Sequence, residues 1–243
     1  MLIKKKKARS HTEDRYLALV LATTAGVLNA MAFGAFGFFP SHMTGNASQI
    51  STEVSGADWK GLLYLATLIL AFIVGSMTAR FVVIGGLKKK LRTIFCLILM
   101  VEGVILTLAS VFETLLFSSK NNGEILMLLG FLMGVHNSTS TQLSNGRVRS
   151  THVTGTLTDA GIALGSFISA IISHAPYAER RLHQKLLHTH LTTIFSFLTG
   201  CIAGYLLFNA YGFNAMIVLG MTLFVIALYF TVVTMRSAAR VTG

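Results

Sequence analysis

The sequence predicts an all-α integral membrane protein with six transmembrane helices, arranged as a 3+3 inverted repeat in a single transmembrane domain spanning residues 1–243. This prediction rests on long uncharged runs, on basic residues that flank them on one side, and on a motif that occurs twice. Hydrophobic residues make up 53% of the chain and charged residues only 12%. Apolar runs of about 20 residues are long enough to cross the hydrocarbon core of a bilayer, which is ~30 Å thick.

The predicted spans follow the uncharged runs. Residues 191–234 carry no charge and are too long for one helix, so the turn-like stretch 209–214 is expected to divide them into two spans. The first run is longer than the roughly 7–15 apolar residues of a signal peptide, which favours a true span there. The predicted spans are 16–39, 61–86, 93–117, 125–143 and the two within 191–234.

The net charge of +11 is a topology signal. Most of the 20 Lys and Arg residues lie before the first span, after the second, between the fourth and fifth, or after the sixth. With six spans, all these positions are on one side, and basic loops are retained in the cytoplasm. The prediction is therefore cytoplasmic N- and C-termini, with residues 1–14 as a basic tail. The lipid bilayer, and no nucleic acid, is the expected partner of these charges.

Two similar stretches indicate an internal repeat. "GVLNAMAFGAFGFFPSHMTGN" begins at Gly26, and "GVHNSTSTQLSNGRVRSTHVTGT" begins at Gly134. The repeats are predicted at about 15–118 and 123–236. Because each contains three spans, the second copy must be inverted, which puts residues 42–45 near the outer face and 152–155 near the inner face. Inverted repeats of secondary transporters hold their site between the halves, near the midplane.

Residues 157–173 are apolar enough to be considered as a seventh span. A seventh span would move the basic residues that follow to the outer side, against the charge distribution. We therefore predict short re-entrant or interfacial helices after the first and fourth spans, and keep the seven-span arrangement as the alternative.

Each motif combines a helix break with residues that start a new helix. Pro40 disfavours helical geometry in the residue before it, and Ser, Thr and Asn cap helix starts. Such helix starts carry exposed N–H donors that suit an anion. Caps and tight packing without a ligand are the alternative, because irregular backbone at membrane depth must be satisfied. The predicted substrate-binding residues are Asn29, His42, Thr44, Gly45, Asn46, Asn137, His152, Thr154, Gly155, Thr156 and Asp159.

Glu102 and His136 are the ionisable residues placed deepest in predicted spans. A carboxylate at that depth must face the bundle interior or water, so both residues are candidates for proton coupling. The alternative for Glu102 is a neutral, hydrogen-bonded carboxyl group. Cys96 and Cys201 are expected to be apolar fillers, and no metal site, cofactor or catalytic residue is predicted.

The motifs resemble those of the YoaK family of bacterial membrane proteins of unknown function. The resemblance is carried by Gly26, Asn29 and Ala30, by residues 41–46, by Gly134 and Asn137, and by residues 154–158. It implies a six-span protein of the bacterial inner membrane and supplies no substrate. His152 departs from the pattern, which has Thr or a hydrophobic residue there.

These patterns favour a small secondary transporter or facilitator for a small molecule or ion, with its site between the repeats. A non-transporting membrane scaffold or partner subunit is the alternative, and a homo-oligomer is compatible with either. An enzyme is not expected, because the sequence lacks a nucleophile–base pair or a metal-binding triad.

Overall fold

The computed structural model describes residues 11–116 and 123–242, and over these residues the chain forms eight α-helices and no β-strand. The basic residues 1–10 and the end of the third predicted span at residue 117 lie outside the described residues. The helices are α1 (His11–Phe36), α2 (Met43–Ser55), α3 (Trp59–Lys88), α4 (Ile94–Leu116), α5 (Gly123–Ser144), α6 (Val153–Ile172), α7 (Tyr177–Tyr211) and α8 (Phe213–Thr242).

Within the described residues, six helices are long and apolar enough to cross a membrane: α1, α3, α4, α6, α7 and α8. The all-helical class is therefore confirmed, and the fold is compatible with a multi-pass membrane protein. The set differs from the predicted one, since α6 qualifies and α5, which contains the fourth predicted span, does not. The reason is that the second half of α5 is rich in Ser and Thr, and α5 packs against α1, α3 and α4. The hydroxyl groups of Ser138, Thr139 and Thr141 donate to backbone carbonyl oxygens, so these polar side chains are satisfied within the protein.

Helices α1 and α7 pack closely and run parallel. Glycine makes this approach possible, because a Cβ atom on Gly200 would lie 2.3 Å from the carbonyl oxygen of Thr23, and one on Gly204 would lie 2.4 Å from that of Val27. Four residues further along α1, from Thr23 to Val27, the contact on α7 also moves four residues forward, from Gly200 to Gly204. The two helices therefore run in the same direction.

Helices α3 and α5 form a second parallel pair in the same manner. A Cβ atom on Gly134 would lie 2.2 Å from the carbonyl oxygen of Phe72. Eight residues further along each helix, the Arg80 guanidinium donates to Oε1 of Gln142 at 2.9 Å. Small residues at such contacts let helix backbones approach without the lateral hydrophobic force that acts in water.

Helices α4 and α8 cross in antiparallel directions. A Cβ atom on Gly103 would lie 2.7 Å from the carbonyl oxygen of Gly220, and one on Gly220 would lie 2.8 Å from that of Gly103. The contact is therefore reciprocal. Nearer the start of α4, Met100 lies beside Thr231, nearer the end of α8.

Helices α2 and α6 lie at the periphery. Among the described helices, α2 packs against α3 alone and α6 against α7 alone. α6 has 20 residues and α2 has 13, which makes α6 about two turns longer. The Gly161-x-x-x-Gly165 pattern of α6 makes no close helix contact, since a Cβ atom at either position would meet open space among the described residues.

Replacing Gly134 by Ala should destabilise the protein, and replacing Gly165 by Ala should not. Both changes add a methyl group inside a helix, so both gain helix propensity. Only Gly134→Ala forces a clash with the backbone of α3, for which overpacking data suggest a cost of about 1–3 kcal/mol. Thermal unfolding of the detergent-solubilised protein measures the difference. Equal melting temperatures for the two variants would contradict the close backbone contact.

Candidate functional site

The chain after α1 turns back along the helix. Gly37 takes a positive φ of 71°, and the rings of Phe33 and Phe39 stack with their centroids 4.3 Å apart. Oδ1 of Asn29 accepts hydrogen bonds from the backbone N–H of Ser41 at 3.1 Å and from its hydroxyl at 2.7 Å. Since Asn29 lies about two turns before the end of α1, these bonds draw Ser41 about 10 Å back along the helix axis. As a result α2 begins beside α1, about two turns before that helix ends.

The chain after α5 makes the same return. Oδ1 of Asn137 lies 3.5 Å from the backbone nitrogen of Thr151 and 3.4 Å from the hydroxyl of Ser150. The Ser150 hydroxyl also lies 3.1 Å from that of Ser140 on α5. Asn137, too, lies about two turns before the end of its helix. Each predicted break is thus held by an asparagine of the preceding helix.

A histidine precedes the first residue of each returning helix. His42 has φ −86° and ψ 59°, and His152 has φ −89° and ψ 64°; neither side chain caps its helix by a hydrogen bond. A Cβ atom on Gly45 would lie 2.7 Å from the His42 ring, and one on Gly155 would lie 2.8 Å from the His152 ring. The glycines therefore leave room for each imidazole to lie over the first turn of its own helix.

The two returning segments face one cavity of about 700 Å³. Its polar lining comes from the asparagines and the returning segments: Asn29, Ser41, His42, Thr44, Asn137, Thr151, His152 and Thr154. Its remaining lining is mostly apolar and comes largely from α3 and α7: Phe39, Met43, Phe72, Val153, Ile194, Phe197, Leu198 and Cys201. The cavity is therefore amphipathic, with polar groups converging on an apolar space, as in many small-molecule sites.

Six of the predicted substrate-binding residues line this cavity, namely Asn29, His42, Thr44, Asn137, His152 and Thr154. The structure thus brings together motifs that were expected near opposite faces of the membrane. Both returns reach back to an asparagine about two turns before the end of the preceding helix, and the two returning segments line the same cavity.

The other predicted substrate-binding residues lie behind or beyond the lining. Gly45 and Gly155 lie under the histidine rings. Asn46 and Thr156 are buried one turn into their helices, where the Thr156 hydroxyl donates to the carbonyl oxygen of His152 at 2.8 Å. Asp159 is exposed and does not line the cavity.

Glu102 and His136 form a buried pair away from the cavity. Oε1 of Glu102 lies 2.8 Å from Nδ1 of His136, and Nε2 of His136 lies 2.9 Å from the carbonyl oxygen of Leu21. A carbonyl oxygen only accepts, so Nε2 carries a hydrogen and the shared proton lies between Nδ1 and the carboxyl group. The pair is electrically neutral whichever atom holds that proton. It joins α1, α4 and α5, and Oε2 of Glu102 has no hydrogen-bond partner among the described residues.

The sequence reasoning missed the lining residues of α3 and α7. Phe72 and Phe197 each precede by three residues a glycine, Gly75 or Gly200, that touches a neighbouring backbone. The Phe-x-x-Gly spacing alone does not identify the walls, because Phe131 precedes Gly134 in the same way and does not line the cavity. Cys201, predicted to be an apolar filler, lines the cavity as well. Among the described residues, no group of three or more metal-ligating side chains was found.

The helices and the cavity define an all-helical protein compatible with a multi-pass membrane location, in which two interrupted segments face one amphipathic cavity. The chain belongs to the DUF1275 family, described as a protein of unknown function, which it matches over residues 17–229. The resemblance to the YoaK family fits this membership. Neither the curated proteins nor the solved structures contain a match to the chain.

Cys201 should react with methyl methanethiosulfonate, a small neutral thiol reagent, in the membrane-embedded protein. The reason is that this thiol lines the cavity, whereas Cys96, the other cysteine of the chain, is buried. Mass spectrometry after brief exposure would locate the adduct. A Cys201→Ser variant serves as the control and should lose nearly all labelling. Preferential labelling of Cys96 would contradict the assignment of the cavity.

Replacing Glu102 by Ala should destabilise the fold more than replacing it by Gln. A glutamine amide can donate to Nδ1 of a neutral His136 and leave the bond to Leu21 intact, whereas alanine leaves Nδ1 buried without a partner. An unsatisfied buried polar group costs about 1–3 kcal/mol. Thermal unfolding of the two variants tests this. If glutamine proves as damaging as alanine, the pair depends on the carboxyl group itself.

Proposed function

We propose that the protein is a small secondary transporter or facilitator whose substrate site is the cavity between two inverted three-helix repeats. The observation that carries the proposal is that both interrupted motifs contribute matching residues to one cavity. Asn29 and Asn137, His42 and His152, and Thr44 and Thr154 occupy equivalent positions in the two lining segments. In transporters of this construction, such a shared site is reached from alternate sides when one repeat moves against the other.

Equivalent contacts in the two halves support the inverted repeat. The carbonyl oxygen of Phe197 approaches Gly26, and that of Phe72 approaches Gly134, the matching glycine of the second half. Likewise α2 packs on α3 as α6 packs on α7. The reciprocal contact of Gly103 and Gly220 lies where a two-fold axis relating α4 and α8 would pass.

The helix directions support six crossings with α2 and α6 re-entrant. If both turn back, alternating crossings give α1 and α7 one direction, α3 and α5 one direction, and α4 and α8 opposite directions. These are the directions that their contacts indicate. A crossing of α6 alone would make α1 and α7 antiparallel. In this arrangement α5 crosses inside the bundle, where its polar residues are enclosed.

The basic flanks of the spans and the buried Glu102–His136 pair add an orientation and a candidate for proton coupling to the proposal. Cytoplasmic termini follow from the basic flanks of the spans, and the resemblance to the YoaK family implies the bacterial inner membrane. The Glu102–His136 pair is the candidate for proton coupling, since it holds a shared proton between α4 and α5 and bonds to α1. A change in that proton would alter bonds among helices of both repeats, which offers a link between protonation and their relative position.

Solute flux into proteoliposomes under a pH gradient tests the proposal, with acetate, benzoate, urea and glycerol as probes. Thr44→Val and Thr154→Val remove hydroxyl groups from the cavity with little change in shape, and should lower flux of the transported probe at least about tenfold, as expected when a site loses polar contacts to its substrate. Asn29→Ala and Asn137→Ala should lower it further, because they also release the returning segments.

Asn209→Ala is the matched control, because Asn209 is exposed and does not line the cavity. It should leave flux unchanged. A robust flux that survives both asparagine substitutions would overturn the site. No flux of any probe above that of empty liposomes would favour the scaffold alternative.

A further inference from the structure

We infer that the cavity takes an organic anion with an apolar body, such as a small monocarboxylate, and that His42 and His152 make its binding dependent on pH. The inference rests on the proposed substrate site and deepens it by naming the class of ligand. It follows from the charges, the two walls and the size of the cavity.

The side chains of the lining favour an anionic ligand over a cationic one. No described residue that lines the cavity is Asp, Glu, Lys or Arg. The titratable groups on the lining are the two imidazoles, one from each returning segment, and the thiol of Cys201 on the α7 wall. A protonated imidazole is positive, so the two histidines can compensate the charge of a negative ligand, and no carboxylate of the described lining is present to compensate a positive one.

Among residues 11–116 and 123–242, the helices around the cavity place no other charged side chain on its lining. Arg80 of α3 is bonded to Gln142, Asp159 of α6 is exposed away from the lining, and the Glu102–His136 pair is neutral as a unit. The first turns of α2 and α6 lie beside the histidines, and neither helix has a side-chain cap, although the N–H groups of Met43 and Val153 donate to the carbonyl oxygens of Ser41 and Thr151. The partial positive charge of these helix starts has the same sign as the protonated rings.

The apolar lining residues of α3 and α7 favour a ligand whose uncharged part is apolar. Besides the polar segments, α3 contributes Phe72 to the lining and α7 contributes Ile194, Phe197 and Leu198. A volume of about 700 Å³ is far larger than a halide or formate needs, and an inorganic ion would gain nothing from these side chains. A carboxylate with an aromatic or branched body would place its charge between the imidazoles and its body against the apolar wall.

Protection of Cys201 from methyl methanethiosulfonate tests this without requiring transport. The protein is reconstituted as the full chain carrying Cys96→Ala, so that Cys201 is its only cysteine. Benzoate and its neutral isostere benzamide are the probes, and the labelling rate with each is compared with the unprotected rate at the same pH. A neutral reagent keeps its own access independent of the charge on the histidines.

Benzoate should protect at pH 6 at a concentration at least about tenfold lower than at pH 8, since an opposite charge in contact with a titrating group shifts its equilibrium by about one pKa unit or more. Benzamide should protect weakly and equally at both values. The double variant His42→Gln, His152→Gln should lose the pH dependence of benzoate protection, and His183→Gln, on α7 outside the cavity, should keep it.

Equal protection by benzamide and benzoate would overturn the anion assignment, and so would a tenfold pH dependence that persists in the double variant. The benzoate–benzamide comparison needs no histidine variant, so it decides the ligand class even if the double variant fails to fold. Benzoate protection without flux in proteoliposomes would uphold the anion site and reject transport. Flux of urea or glycerol without benzoate protection would uphold transport and reject the anion site.

Discussion

The candidate site depends on how two stretches of non-helical backbone, which return along α1 and α5, find hydrogen-bond partners. Lipid offers no hydrogen bonds, so irregular chain within a membrane is tolerated only where protein or enclosed water provides partners. Asn29 supplies a partner through two bonds to Ser41, and Asn137 does so through Ser150 and Thr151. Without these side chains, neither return would reach the cavity and neither histidine would lie on it.

The sequence predicted these breaks because their chemistry is local. A proline, a glycine and a cluster of Ser, Thr and Asn mark the end of one helix and the start of another within a few residues, and the duplication repeats the signal. Hydropathy does not decide between α5 and α6, because it reports exposure to lipid only on average. By length and composition the peripheral α6 qualifies as a candidate span and the enclosed α5 does not, whereas the sequence predicts a span at 125–143 and leaves 157–173 as the alternative. The inverted repeat itself stays a prediction, supported by paired contacts.

The contacts between helices could not be predicted, because they depend on which faces meet. Phe72 and Phe197 reach the cavity from helices distant in sequence, each next to a glycine that allows the backbones to touch. Glu102 and His136 were recognised individually as costly groups at membrane depth. Their pairing joins residues 34 positions apart on different helices, and no local spacing indicates it.

The cavity lining contains no described Asp, Glu, Lys or Arg, and this determines how a membrane voltage would act on transport through it. If the protein transports as proposed and both imidazoles are neutral, the empty site would change its exposure from one side of the bilayer to the other without carrying charge across the electric field. A membrane voltage acts on a moving elementary charge with about 2.3 kcal/mol per 100 mV, so it would act only on what the cavity holds. An anion accompanied by one imidazole proton would cross as a neutral unit, and its distribution would follow the pH difference and ignore the voltage.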